Sequence, residues 1–203
     1  MTYIFSAVIG YLFGCFSFAK IIAKMKGIDI KKVGTNNAGA SNVFISVGKI
    51  YGVFAAIGDI LKAFFASSLV YMLFDKNYEA AIIAGAMAII GHIFPFWMKF
   101  NGGKGLASLM GIILFIGLDD FAIFGIIIIA ITLATDYIAL GTLTVATLMP
   151  VYSACILKNS VLILTVFVVL AVIIWYKHWE NIKRIKNNTE IGFLRKNKTK
   201  KEP

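Results

Sequence analysis

The chain lacks most of what a soluble enzyme is built from. Charged residues make up only 15% of its 203 positions, and it holds three Pro, two Cys and two His. A typical soluble domain is about 25% charged. The two cysteines, Cys15 and Cys155, stand alone in apolar stretches, with no CxxC or Cys/His cluster near them. That excludes a disulfide scaffold and a zinc-binding module. No carboxylate pair, nucleophile–base–acid triad or cluster of metal ligands can be picked out along the chain. The polar inventory therefore leads us to expect no metal and no cofactor.

Apolar side chains are what the sequence has in quantity. They fill 60% of the chain, and the mean hydropathy is +0.86. This composition describes an all-α polytopic membrane protein, because a lipid-embedded backbone must satisfy its own hydrogen bonds. Apolar runs fall near 3–24, 52–74, 80–98, 106–118, 121–135, 138–157 and 159–176. They predict about seven transmembrane helices joined by short cytoplasmic loops of re-entrant or half-helix character. The runs at 106–118 and 121–135 are shorter than a full span. The first twenty residues have no basic leader and no small-residue cleavage pattern, so they read as a retained first span. Residues 1–193 form one integral-membrane domain in this reading, and 194–203 form a basic, disordered tail.

Net charge is +10, which in a soluble protein would suggest nucleic acid. Here position matters more than sum, and no nucleic acid is expected. Seventeen of the twenty Lys and Arg lie in three places: Lys20 to Lys49, Lys99 with Lys104, and Lys177 to Lys201. Cytoplasmic loops collect Lys and Arg. All three places are assigned to the cytoplasmic side of the membrane, where they also meet anionic lipid. Only Lys76 and Lys158 then fall outside. With seven spans, the N-terminus is outside and the C-terminus cytoplasmic.

Three cytoplasmic stretches carry more polar chemistry than linkers need. In 29–49, Gly34, Gly39 and alanines alternate with Thr35, Asn36, Asn37, Ser41 and Asn42. Such a loop can aim backbone amides at an anion, or it can be a re-entrant turn. In 91–108, Gly102, Gly103 and Lys104 precede an apolar run. Backbone donors, a helix dipole and an ammonium at one spot suit phosphate, although a basic turn has the same residues. His92, Pro95 and Trp97 come just before, with His92 the more usual structural hydrogen-bonder. In 175–190, His178 and Asn181 share a helix face, and Glu180 and Arg184 stand four apart as a surface pair. Asp59 and Lys62, within a span, are expected to pair at i, i+3. Thr142 and Thr144 can bond between helices or to a ligand.

Taken together, the three stretches resemble the bacterial membrane-bound acyl-phosphate:glycerol-3-phosphate acyltransferase family over about residues 5–193. GTNNAGASNVFI is similar to the family's GSGNxGATNxxR, GHIFPFWMKFNGGKG to GHxFPxxxxFxGGKG, and HWENIKRIKNNTE to HxENIxRLxxGTE. The resemblance implies transfer of a fatty acyl group from acyl phosphate to glycerol 3-phosphate, giving lysophosphatidate. It implies Lys104, His178, Asn181 and Thr35 as catalytic residues. Gly34, Asn37, Gly39, Ser41 and Asn42 would hold acyl phosphate; Gly102, Gly103 and Thr142 would serve the glycerol phosphate. Membrane lipid and a cytoplasmic enzyme that forms acyl phosphate are the implied partners. The alternative is a catalytically weak or inactive paralogue that binds acyl phosphate or anionic lipid. Its motive is Ile45, which stands where the family carries Arg and removes a bidentate phosphate contact. Cys15 and Ser17 stand where Ser and Pro are usual.

Overall fold

A computed structural model describes residues 1–156 and 160–193. The expected tail at 194–203 and Lys158 lie outside the described residues. Within them the chain is helical, with no strand. The helices are α1 (Thr2–Gly14), α2 (Phe18–Met25), α3 (Ala40–Ser46), α4 (Lys49–Leu73), α5 (Tyr78–Ile93), α6 (Leu106–Ile116), α7 (Leu118–Thr135), α8 (Ile138–Ile156) and α9 (Val161–Lys186). Six segments are long and apolar enough to cross a membrane: Thr2–Met25, Lys49–Leu73, Tyr78–Met98, Leu118–Thr135, Ile138–Cys155 and Val161–Lys186. The seventh, α6, has 11 residues. At about 1.5 Å per residue it is roughly 16 Å long, half a bilayer core. It stands inside the bundle with Ser108, Leu109, Ile112 and Ile113 buried.

The first apolar run is not one continuous helix. It breaks at Cys15–Ser17, where the Ser17 hydroxyl caps α2 by accepting from the Lys20 amide at 3.3 Å. A break in a membrane helix frees carbonyls that need new donors. The Trp97 indole donates to the Cys15 carbonyl at 2.7 Å, and the Lys62 ammonium donates to the Phe16 carbonyl at 2.8 Å. The break is thus held by side chains from α4 and from the turn after α5.

Close backbone approach holds α1 against α5. A Cβ on Gly10 would collide with the backbone of Ala84, and one on Gly14 with that of Ala88. Two small residues four apart face two others four apart, the arrangement that lets membrane helices pack without a hydrophobic drive. The larger core lies where α5, α6, α8 and α9 meet, around Ile89, Ile93, Ile113, Met149 and Phe167. With α6 counted, the chain crosses the bundle seven times. The segments 26–48, 94–105, 136–137 and 187–193 then all come to one end.

Candidate active site

A small, partly open cavity of about 140 Å³ lies at that end. It is lined by Thr35, Asn37, Gly39 and Ser41, by Lys104 and Gly105, by His178 and Asn181, by Glu190 and Phe193, and at its inner end by Asp59 and His92. Residues far apart in the chain are thus brought to one polar space inside an apolar bundle.

The first wall is the loop before α4, and Asn42 organises it. Asn42 is fully buried. Its amide nitrogen donates to the carbonyls of Ile30 at 2.8 Å, Val33 at 3.0 Å and Asn37 at 2.9 Å. Its oxygen accepts from the Thr35 amide at 2.9 Å and the Ser46 hydroxyl at 3.1 Å. An orphaned backbone group in this apolar setting would be costly. One side chain satisfies four of them and so fixes the curve of the loop. Gly34 lets that curve close, because it adopts φ +59° and a Cβ there would strike Asn42 and Ser46. Gly34 and Asn42 therefore stand behind the cavity wall, with Thr35, Asn37, Gly39 and Ser41 on it.

The second wall is the segment 94–105. Lys99 and Phe100 both take left-handed backbone, and the chain folds back on the end of α5. The Gly102 amide donates to the Ile93 carbonyl at 2.9 Å, and the Gly103 amide donates to the His92 carbonyl at 3.0 Å. A Cβ on Gly102 would strike the His92 carbonyl, and one on Gly103 would strike the His92 ring. Both glycines thus serve the approach of loop to helix, and neither lines the cavity. They deliver Lys104 and the start of α6, whose Gly105, Leu106 and Ala107 do line it. The first amides of a helix lack intrahelical acceptors and face anions favourably.

The third wall is the end of α9. The helix continues ten residues past the last apolar run, which puts buried His178 and Asn181 on its inner face. His178 Nδ1 lies 2.8 Å from the Ile174 carbonyl. A carbonyl only accepts, so Nδ1 carries the proton and Nε2 is left as the acceptor. The Lys104 ammonium donates to Asn181 Oδ1. Asn181 Nδ2 donates to Glu190 Oε1 at 2.5 Å, and Arg184 Nε pairs with Glu190 Oε2 at 2.6 Å. The expected Glu180–Arg184 surface pair is replaced: Glu180 takes Lys183 at 2.9 Å. The turn after α9 brings Glu190 back under the helix, where its carboxylate competes for the guanidinium.

Burial pushes Lys104 down to about 8, with the Arg184 cation adding to the effect and Glu190 opposing it. Among the described residues its one hydrogen-bond acceptor is Asn181, so two ammonium hydrogens remain for a ligand. A strap closes this side. The Phe193 amide donates to the Asp136 carbonyl at 2.8 Å, and the Phe193 ring stacks on Phe44 at 4.7 Å.

Of the expected site residues, Thr35, Asn37, Gly39, Ser41, Lys104, His178 and Asn181 share the cavity. Thr142 does not. It is buried within α8, where its hydroxyl donates to the Ile138 carbonyl of the same helix at 2.9 Å and not to a neighbouring helix. The expected Asp59–Lys62 pair forms at 2.8 Å, and His92 joins it. Sequence reading left Glu190 without a role. Its signal was an acid a few residues beyond a basic helix end. Ile45 lines the cavity, so the departure from Arg falls within the site.

Comparison with known proteins finds relatives over nearly the whole chain. Residues 4–188 match the family model described as glycerol-3-phosphate acyltransferase. The chain is 38% identical to glycerol-3-phosphate acyltransferase 1 of Oceanobacillus iheyensis, covering 96% of this chain and 97% of that one. It is 35% identical to the glycerol-3-phosphate acyltransferase of Thermosipho melanesiensis, covering 94% and 92%. Among solved structures it is similar to PlsY (YgiH), an integral membrane glycerol 3-phosphate acyltransferase. The glycerol 3-phosphate form matches with a TM-score of 0.86 at 29% identity, over 95% of this chain and 96% of that one. The lysophosphatidic acid form matches with a TM-score of 0.83 at 28% identity, over 95% of each chain.

Proposed function

The chain belongs to the glycerol-3-phosphate acyltransferase family, and from that premise we propose that this integral membrane enzyme uses acyl phosphate as its donor. A hydroxyl oxygen of glycerol 3-phosphate attacks the acyl carbonyl carbon. The bond from that carbon to the phosphate oxygen breaks, and inorganic phosphate leaves with the bonding pair. The products are lysophosphatidate and phosphate. An acyl phosphate is already activated, so the protein's task is to hold two phosphorylated reactants in line and to meet the developing oxyanion.

The observation that carries this reading is the convergence of Lys104, His178 and Asn181 on the same cavity as Thr35, Asn37 and Ser41. Lys104 and the first amides of α6 suit one phosphate. Thr35, Asn37 and Ser41 supply hydrogen-bond donors for the acyl carbonyl and the donor's phosphate. Asn42 and Gly34 hold that loop in shape, and Gly102 and Gly103 do the same for Lys104. Asn181 orients the glycerol. His178 Nε2 takes the hydroxyl proton and passes it to the departing phosphate. The cavity is headgroup-sized, so the acyl chain lies outside it, along the apolar flank of the bundle. The basic loops favour a cytoplasmic position for this end, where both substrates arrive, with the N-terminus on the other side of the membrane. A soluble enzyme that makes acyl phosphate supplies the donor.

The test is an assay with purified protein, palmitoyl phosphate and labelled glycerol 3-phosphate. Wild type yields lysophosphatidate and phosphate one for one, and His178→Gln yields little. Equal product from wild type and His178→Gln would remove the proton-transfer step. No product from wild type with acyl phosphate, and product with acyl coenzyme A, would overturn the donor.

A further inference from the structure

Three ionisable side chains in the bundle interior have no step in the proposed reaction, although two of them, Asp59 and His92, reach the cavity lining. Asp59, Lys62 and His92 are each at most 6% exposed, and they stand in segments that cross the membrane. A charged group there is expensive, by about 2.5–3.5 kcal/mol on insertion scales, so its presence calls for a use. Lys62 holds the three together, while Asp59 Oδ2 has no hydrogen-bond partner among the described residues. Lys62 Nζ lies 2.8 Å from Asp59 Oδ1, 2.9 Å from His92 Nδ1 and 2.8 Å from the Phe16 carbonyl. An ammonium has three hydrogens, and here three acceptors surround it. An ammonium only donates, so His92 Nδ1 accepts and the ring carries its proton on Nε2.

The other edge of that ring meets the glycine loop. His92 Nε2 lies against Gly103, close enough that no Cβ fits between them. The His92 carbonyl also holds the Gly103 amide at 3.0 Å, and its neighbour Ile93 holds Gly102 at 2.9 Å. Lys104 is the next residue. A chain of contacts therefore runs from Asp59 through Lys62 and the His92 ring to Gly103 and the ammonium that faces the cavity.

We infer that Asp59, Lys62 and His92 are positioning residues that hold the Gly102–Lys104 loop in its phosphate-binding shape. Losing any of them frees the ring, lets the loop shift and weakens the grip on glycerol 3-phosphate. The acyl carbonyl, on the other wall, keeps its partners. The inference rests on the phosphate reading of Lys104, and Lys104→Ala is therefore run beside the other variants.

The experiment is steady-state kinetics on purified Asp59→Asn and on the double variant Asp59→Leu/Lys62→Met. The double variant replaces a buried ion pair with apolar groups of similar volume, which often leaves stability intact. Both are expected to raise KM for glycerol 3-phosphate about tenfold, with kcat and KM for palmitoyl phosphate within about twofold. A double variant with normal thermal stability and unchanged KM for glycerol 3-phosphate would overturn the inference and leave the cluster as packing alone. So would a kcat loss at constant KM, which would put Asp59 in the chemistry itself. If Lys104→Ala keeps a wild-type KM for glycerol 3-phosphate, the phosphate reading and the inference fall together. If only Lys104→Ala raises that KM, the inference alone falls.

Discussion

Two clusters of buried charge share this bundle, and they are built on opposite plans. In one, Lys62 is surrounded by Asp59, His92 and the Phe16 carbonyl, all from helices or helix ends within the membrane. In the other, Lys104 has one acceptor among the described residues, Asn181, which is held by Glu190, itself paired with Arg184. The first cation meets three partners of the protein. The second meets one, so two of its hydrogens are left for the cavity, which Asp59 and His92 of the first cluster also reach. Both use a carboxylate, a cation and a neutral polar group, so composition does not separate them. What separates them is whether the protein itself completes the ammonium's hydrogen bonds. A completed cation serves the architecture, and an incomplete one waits for an anion.

Alanine at each lysine tests that contrast most sharply. Lys104→Ala is expected to fold normally and to lose about 10²–10³ in turnover, the scale of removing one preorganised electrostatic contact. Lys62→Ala strands Asp59 in the bundle, and the expected cost is about 3–5 kcal/mol of stability. Thermal unfolding in detergent, paired with product formation, gives both readouts. Comparable loss of melting temperature in the two variants would erase the distinction between the clusters.

Much of this was legible in the sequence, and the failures have physical causes. The apolar runs gave the crossings because a bilayer leaves backbone few alternatives. The seven cavity residues were visible because Thr, Asn, Ser, Lys and His in a lipid-embedded chain stand out by type. Their division of labour was not visible. Asn42 and Thr35 look alike as polar loop residues, and only coordinates reveal that Asn42 spends every hydrogen-bonding atom on the loop. The break at Cys15–Ser17 was hidden because its compensation comes from Lys62 and Trp97, far along the chain. Glu190 was hidden too: its partner choice depends on the turn after α9, which brings it under Arg184 and away from solvent, with a side chain 6% exposed.

The second plan depends on Glu190, and a subtler change probes it. In Glu190→Gln the amide oxygen still accepts from Asn181, so the geometry is preserved. The negative charge that opposes Arg184 is lost, so the Lys104 ammonium is further disfavoured. Turnover at pH 8 is expected to fall about fivefold, the effect of roughly one pKa unit on a cation that titrates near 8. Lowering the pH should restore most of it. No recovery at lower pH would mean that Glu190 acts through shape alone.

The wild type carries its own version of that titration. Lys104 is held near 8 by burial, below a lysine's ordinary value, so it is charged below that pH and loses its charge as pH rises through it. KM for glycerol 3-phosphate is expected to climb above about pH 8, by up to tenfold per unit. Lys104→Arg stays charged throughout and should flatten the climb, whatever its absolute rate. A profile that is unchanged in Lys104→Arg would assign the titration to another group.

The smallest expected effect concerns the position where this chain departs from its family. Ile45 is on α3, one turn after Ser41, and both line the cavity. Its side chain is still 37% exposed, so a longer one has room to swing. Ile45→Arg would add an incomplete cation of the Lys104 kind opposite the existing one. The expected result is a KM for palmitoyl phosphate lowered about two- to threefold with kcat little changed, because a partly exposed charge gains less than a buried one. A higher KM for palmitoyl phosphate would carry the opposite lesson. It would mean that Ile45 contacts the first carbons of the acyl chain, and that this wall of the cavity ends in lipid where the family's arginine ends in phosphate.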